Sequence, residues 1–244
     1  MKNITEFPGK SSFDNPKQLL SKNSQESYKL DGYAGLVIWD LDLHRAQASE
    51  RISSFSSELI VPEAPTLQDA QKVIFLFNGL QTSLKNTTDK AILQPVLAWN
   101  KGGWTVSSWY VNGARDKPKE VKVICNTKPI PVTSGDKLVS VMTSEIDTYG
   151  FYYSCEFENL PGSGLELVSP FDLTLSLLAL EAYGVTSCES IPPKGLRFSN
   201  VSLTTTSSRK PSWEEKTPPS GCKVFAHIST DTDTDNTEVT FSSN

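Results

Sequence analysis

The chain of 244 residues contains two histidines, two methionines and four cysteines, and each scarcity narrows the chemistry open to it. His44 and His227 are the whole supply of imidazole, neither lies near a serine in a nucleophile-elbow context, and no Gly-x-Ser-x-Gly pattern occurs. That argues against a Ser-His-Asp triad. Cys125, Cys155, Cys188 and Cys222 are too far apart for a Cys-x-x-Cys knuckle, so no metal site is expected from them, and no motif requires a cofactor. An even count permits two disulfides, but with no export signal in view the expectation is free buried thiols. Basic residues are also in deficit: 23 Lys and Arg against 28 Asp and Glu give a net charge of -5 and a pI near 5.2. No Lys/Arg cluster exists that could neutralise several phosphates, and Lys117-Pro118-Lys119 reads as a solvated turn, so no nucleic-acid partner is expected. No window approaches eighteen consecutive apolar residues, which predicts no membrane span. The opening MKNITEFPGKSSFDNPKQ carries no apolar stretch behind its lysine. It is not a secretory signal, and the expectation is a cytoplasmic protein, one exported by another route, or one whose leader has been removed.

What is abundant is Ser, Thr, Asn, Gly and Pro around short apolar segments, with 37% hydrophobic and 21% charged residues overall. The length suits one large all-β domain with a sizeable core and little helix. Residues 1–31 are polar and without period, and predict a mobile arm with a short helix at Pro16 to Ser21. From residue 32 the pattern changes. Tyr33 to Leu43 alternates, with Trp39, Leu41 and Leu43 on one side and Asp40, Asp42 and His44 on the other, as a half-buried strand requires. Phe55 to Val61 is a second strand stopped by Pro62, and Val73 to Phe77 a third ended by Asn78-Gly79. Ala91 to Trp99 and Trp104 to Val111 flank Asn100-Lys101-Gly102-Gly103, which reads as a hairpin turn. Further strands are expected at Val121 to Cys125, Lys137 to Thr143, Gly150 to Glu158, Phe171 to Tyr183 and Arg197 to Leu203. About ten strands at this spacing predict an all-β, two-sheet antiparallel β-sandwich over residues 32–204. Within it, LSLLALEAY has the composition of a helix turn but the surroundings of a core strand. Residues 205–244 read as an extension with one strand at Lys223 to Ile228 and an acidic disordered end.

Three polar groups need weighing. Asp40, Asp42 and His44 share one side of a strand and would hold a metal only against the default that such residues face water. Asp231-Thr-Asp233-Thr-Asp235-Asn236 imitates the start of a calcium loop but has Asn236 in place of the loop glycine and Ser242 in place of the twelfth-position carboxylate. The sequons at Asn3, Asn86 and Asn200 matter only in a secretory compartment. The densest chemistry lies in AILQPVLAWNKGGWTVSSWY, where Gln94 stands close to Trp99, Trp104, Trp109 and Tyr110. Some of these rings must be core, yet such a cluster with Gln94, Ser108 and Asn78 as hydrogen-bond partners also suits an oligosaccharide or an extended peptide.

These segments resemble, in order, strands of the glutamic peptidases, acid endopeptidases built on a concanavalin-like sandwich. GYAGLVI, FSSELIVPEA, VIFLFNGL, AILQPVLAW, WYV, PIPVTSGDKLVSVMT and LALEAY each match a short family pattern, together spanning roughly residues 32 to 203. The resemblance implies that Gln94 stands where the family has the glutamine that positions water and stabilises the oxyanion. It places the partner glutamate, the general base and acid, on Leu177, and other acidic or aromatic site positions on Ile74, Asn78, Trp104 and Ser108. Leucine cannot take a proton from water, and loss of a general base commonly costs a factor of about 100 to 10,000. Glu181 is the nearest substitute on the same strand face, about 13 Å along extended chain from Leu177. The expectation is therefore a homologue without peptidase activity that binds an oligosaccharide or peptide in a groove around Gln94, lined by Trp99, Trp104, Ser108, Trp109, Tyr110 and Asn78. The alternative is an acid endopeptidase, or another enzyme on the same sandwich, that uses Gln94 with a rearranged carboxylate such as Glu181.

Overall fold

A computed structural model describes residues 30–44, 47, 49–65, 72–86, 88–114, 122–185, 188, 191–192, 196–216, 222, 224–231 and 236–243. The expected N-terminal arm up to residue 29 with its Pro16 to Ser21 helix, the Asn3 sequon, the Lys117 to Lys119 turn and Asp233 to Asp235 lie outside the described residues.

The alternation predicted from the sequence is realised as two antiparallel sheets packed face to face. The strands are β1 (Leu30–Asp40), β2 (Ile52–Ile60), β3 (Val73–Gln81), β4 (Asp89–Asn100), β5 (Gly103–Ala114), β6 (Lys122–Asn126), β7 (Ile130–Val132) and β8 (Lys137–Asp147). They continue with β9 (Gly150–Phe157), β10 (Leu165–Ser169), β11 (Leu175–Val185), β12 (Leu196–Thr205), β13 (Glu214–Glu215), β14 (Val224–Thr230) and β15 (Thr237–Ser243). One sheet, here the front sheet, runs β13-β1-β11-β3-β4-β5-β6 with β7 also paired to β5; the back sheet runs β10-β9-β8-β2-β12-β15-β14.

Burial patterns explain why the sequence folds this way. β12 alternates buried and exposed along most of LRFSNVSLTT, the mark of a strand with one dry face. β3, β4 and β11 are instead buried on both faces, so VIFLFNGLQ, AILQPVLAW and LSLLALEAY are almost uninterrupted apolar runs. LSLLALEAY is a central strand, paired with β1 on one side and β3 on the other, and its two neighbours decide the matter against its helical composition. The β4–β5 hairpin closes through Lys101 and Gly102, both at positive φ, as a two-residue turn between right-twisted strands requires. Between the sheets lies the main core, which includes Trp39, Phe55, Leu93, Leu178, Phe198 and Phe241, with Trp99 and Trp104 edge to face at 5.3 Å. The sheets approach closely beside Gly35, where an added Cβ would fall 2.5 Å from the Phe241 ring.

Three expectations are corrected. The first strand stops at Asp40, and Leu41–Leu43 form a 3-10 turn capped by it: Asp40 Oδ1 accepts from the Asp42 amide at 3.1 Å. Its other oxygen accepts from the Ser83 hydroxyl and the Leu84 amide, both at 2.9 Å. That carboxylate is consumed in joining β1 to the β3–β4 connection, and His44 stacks on Trp39 rather than joining Asp42 at a metal. The expected disordered end is strand from Thr237 onward, pairing with β14 and β12 while Val239 and Phe241 bury in the core between the sheets. The cysteines are not all free: Cys188, just after β11, is bonded to Cys222, just before β14, while Cys125 and Cys155 remain thiols. The bond ties the end of a front-sheet strand to the start of a back-sheet strand. Burial pushes the Cys155 thiol up to about 12, which makes it inert.

Candidate functional site

Strand register converts the sequence into rows across the front sheet. Ile38 pairs with Leu177, Leu177 with Gly79, Gln94 with Trp109, and Trp109 with Asn126. Between the pairs Phe77–Val96 and Leu80–Leu93 the register sets Gly79 beside Gln94, and a Cβ added at Gly79 would lie 3.6 Å from the Gln94 Cβ. One row therefore reads Ile38, Leu177, Gly79, Gln94, Trp109. Strand spacing puts Leu177 roughly 10 Å from Gln94 between Cα atoms, with only a glycine between them. Pro95, next to Gln94 in a central strand, has no N–H to give β3, and no pairing is made at Asn78 and Gly79.

This row lies on the front sheet's outer face, away from the inter-sheet core. The face forms its own apolar cluster, in which Ile38, Phe77, Ile92, Val96, Leu177 and Ala179 are buried, with Phe75, Tyr33 and Trp109 half-buried against it. Gln94 is 9% exposed at its centre. The indole N–H of Trp109 donates to the Ser107 hydroxyl on the same strand.

Of the residues expected around Gln94, the structure brings only Trp109 to this face. Trp99, Trp104 and Tyr110 belong to the inter-sheet core, and Tyr110 shares a hydrogen bond of 2.9 Å with Ser169 of β10. Asn78 also points inward, accepting from the Ser140 hydroxyl at 2.7 Å, and Ser108 is fully buried on the same inner side, its hydroxyl without a hydrogen-bond partner among the described residues. Ile74, another position implied by the family resemblance, is buried in the same inter-sheet core.

Glu181 does face outward with Leu177 but two side chains further along β11. Four residues along and two strands across give roughly 16 Å between the Cα atoms of Glu181 and Gln94. It pairs in register with Tyr33 on β1 and Phe75 on β3. The Tyr183 hydroxyl donates to Glu181 Oε2 at 3.0 Å, and Tyr33 bonds the same carboxyl group. Burial raises the Glu181 pKa above the usual carboxylate range, against the opposing pull of the Lys90 charge and the two tyrosines. Tyr33 is pushed well up in turn, first by burial and then by the neighbouring carboxylate. The sequence reading named Glu181 but missed its aromatic surroundings. The signal was present in the shared parity of Glu181 and Tyr183, and became readable once pairing brought Phe75 and Tyr33 alongside.

No cluster of three His, Cys, Asp or Glu side chains suited to a metal occurs among the described residues, and no helix among them is long and apolar enough to cross a membrane. A cleft of 540 Å³ lined by Ile60, Pro62, Gly135, Leu196 and Arg197 belongs to the back sheet and includes none of these groups.

Two antiparallel sheets packed face to face make the chain a β-sandwich, like the glutamic peptidase fold. Solved structures similar to it include scytalido-glutamic peptidase with a transition state analog inhibitor, at 15% identity and a TM-score of 0.50. A second, scytalido-glutamic peptidase with a peptide-based transition state analog, matches at 15% identity and a TM-score of 0.52. Each alignment covers 87% of this chain and 98% of the other, and at this identity what is shared is the fold. No protein-family profile matches the chain, and no curated protein does.

Proposed function

We propose that this chain is a glutamic-peptidase-like sandwich that binds an extended peptide along the outer face of its front sheet, centred on Gln94, and does not hydrolyse it. The observation that carries the reading is the row itself: across Gly79 from Gln94 stands Leu177, 1% exposed and without a titratable atom. Hydrolysis through Gln94 needs a carboxylate in reach of the same water. The acids nearest it on this face, Asp40 and Glu181, each lie roughly 16 Å away by strand spacing. The first is occupied by Ser83 and Leu84 and the second by Tyr183. Apolar side chains with one central amide suit the side chains and single backbone amides of a peptide better than the dense hydroxyls of a sugar.

The test combines two assays on the purified chain. Casein and a mixed peptide library incubated at pH 3 to 4 should remain intact, while immobilised peptides bind wild type and lose most of that binding to Gln94→Ala. Cleavage that Gln94→Ala abolishes would establish the enzyme alternative. Binding on a glycan array but not to peptides would reassign the ligand.

A further inference from the structure

We propose, building on the peptide-binding reading, that the Glu181 end of the outer face is a subsite for an organic cation, the ammonium of a lysine-type side chain in the bound peptide. Tyr33, Phe75, Trp109 and Tyr183 are all half-buried, so each keeps surface open to solvent. Phe75 joins them, meeting Trp109 at 5.6 Å and Tyr183 at 5.9 Å, both edge-on. Against this cluster sits one carboxyl group, 8% exposed, held in place by Tyr183 and Tyr33.

Neither component alone defines a ligand. A braced carboxylate is a common structural device, and exposed rings attract any apolar group. Together they fit one kind of partner. The aromatic quadrupoles favour a cation placed against them, and a carboxylate in a desolvated setting is stabilised by an opposite charge that replaces the water it has lost. The two tyrosine hydroxyls occupy part of the carboxylate's acceptor capacity, which is about four lone-pair sites, and so leave room for further donors. The Lys90 charge also acts on Glu181 through space. An incoming ammonium thus meets attraction from Glu181 and the rings and repulsion from Lys90. An extended peptide that lays one residue over Gln94 reaches Glu181 about four to five residues further on, at about 3.3 Å per residue over roughly 16 Å.

The test uses the full chain and matched apolar nonapeptides that carry lysine, trimethyl-lysine or norleucine at the fifth residue from the Gln94-proximal end. Tetramethylammonium chloride serves as a second probe, followed by the indole N–H resonance of Trp109. Lysine and trimethyl-lysine should bind roughly tenfold more tightly than norleucine, a preference worth about 1.4 kcal/mol. Glu181→Gln should abolish the preference, bringing lysine and norleucine peptides to equal affinity. Lys90→Met should enlarge it, whereas a Glu181 that serves only to brace the fold predicts no change in preference. The preference should also fade as the pH falls and Glu181 takes up its proton, with Tyr33, Tyr183 and Lys90 the other titratable groups in play. Equal binding of lysine and norleucine peptides overturns the subsite and leaves the groove reading standing. Failure of every peptide overturns the groove reading. In that event a tetramethylammonium-induced shift of Trp109 that Glu181→Gln removes still supports the cation site, and its absence overturns it.

Discussion

Breaking the bond between Cys188 and Cys222 offers the most quantitative check on how the two sheets are held together. The cysteines are 34 positions apart, and the loop they close contains β12 and β13. Loop-closure entropy for a ring of this length comes to about 4 kcal/mol at 25 °C, removed from the unfolded chain when the bond is present. In a chain of this size 1 kcal/mol corresponds to about 2–4 °C, so Cys188→Ala with Cys222→Ala should lower Tm by roughly 8–16 °C. Guanidinium unfolding followed by tryptophan fluorescence should show the midpoint fall and the slope rise, because the uncrosslinked chain expands further when unfolded. Cys222 is 2% exposed, so the double alanine variant also loses some packing. Reducing the wild type under denaturing conditions and refolding it in dithiothreitol keeps the sulfur atoms and isolates the crosslink. Thiol titration of the denatured, unreduced protein should count two groups, Cys125 and Cys155. Four thiols, or a change in unfolding free energy below about 1 kcal/mol by both routes, would refute the assignment or the entropic argument built on it.

The remaining predictions concern the outer face and the core. Burial raises the Glu181 pKa, so the folded chain retains this proton over a pH range where the unfolded chain has lost it. Its contribution to stability is therefore full below the ordinary glutamate range and is lost as pH rises through the raised value. Glu181→Gln should gain in stability relative to wild type as pH increases from 4 to 8, measured by urea midpoints, and a difference independent of pH would count against a buried acid. Trp104→Ala should cost about 3–5 kcal/mol as a core truncation. Trp109→Ala should cost clearly less while impairing ligand binding, and equal costs would mean the two rings had been assigned to the wrong faces.

The sandwich was legible because most strands carry their own evidence. Alternation in the first strand, the Asn78-Gly79 and Lys101-Gly102 turns, and the prolines between segments each have a local physical cause. The ordered resemblance to glutamic peptidases added the architecture, and Gln94, Leu177 and Glu181 do share the face they were expected to share. What failed was the assignment of aromatics to faces. β3, β4 and β5 lie between two apolar surroundings, so both parities of the sequence look like core, and a one-residue ambiguity moves every side chain to the other side. Trp99, Trp104 and Tyr110 fell on the inner parity and Trp109 on the outer one, which composition alone does not distinguish. The disulfide was missed for another reason. Cys188 and Cys222 are brought together only by the packing of two sheets, and nothing in their spacing announces it.

The strand order carries a consequence for how the protein is made. β11 is inserted between β1 and β3, so the row that holds Gln94 and Leu177 has no floor until residue 185 of 244 has left the ribosome. Before that point β1 and β3 each present an unpaired apolar edge, the kind of surface on which nascent chains adhere to one another. Pairings this distant in sequence form slowly, because the intervening chain must be confined before any contact repays the cost. A ribosome stalled short of β11 would therefore hold a half-sheet dependent on chaperones, with the row around Gln94 still open on one side.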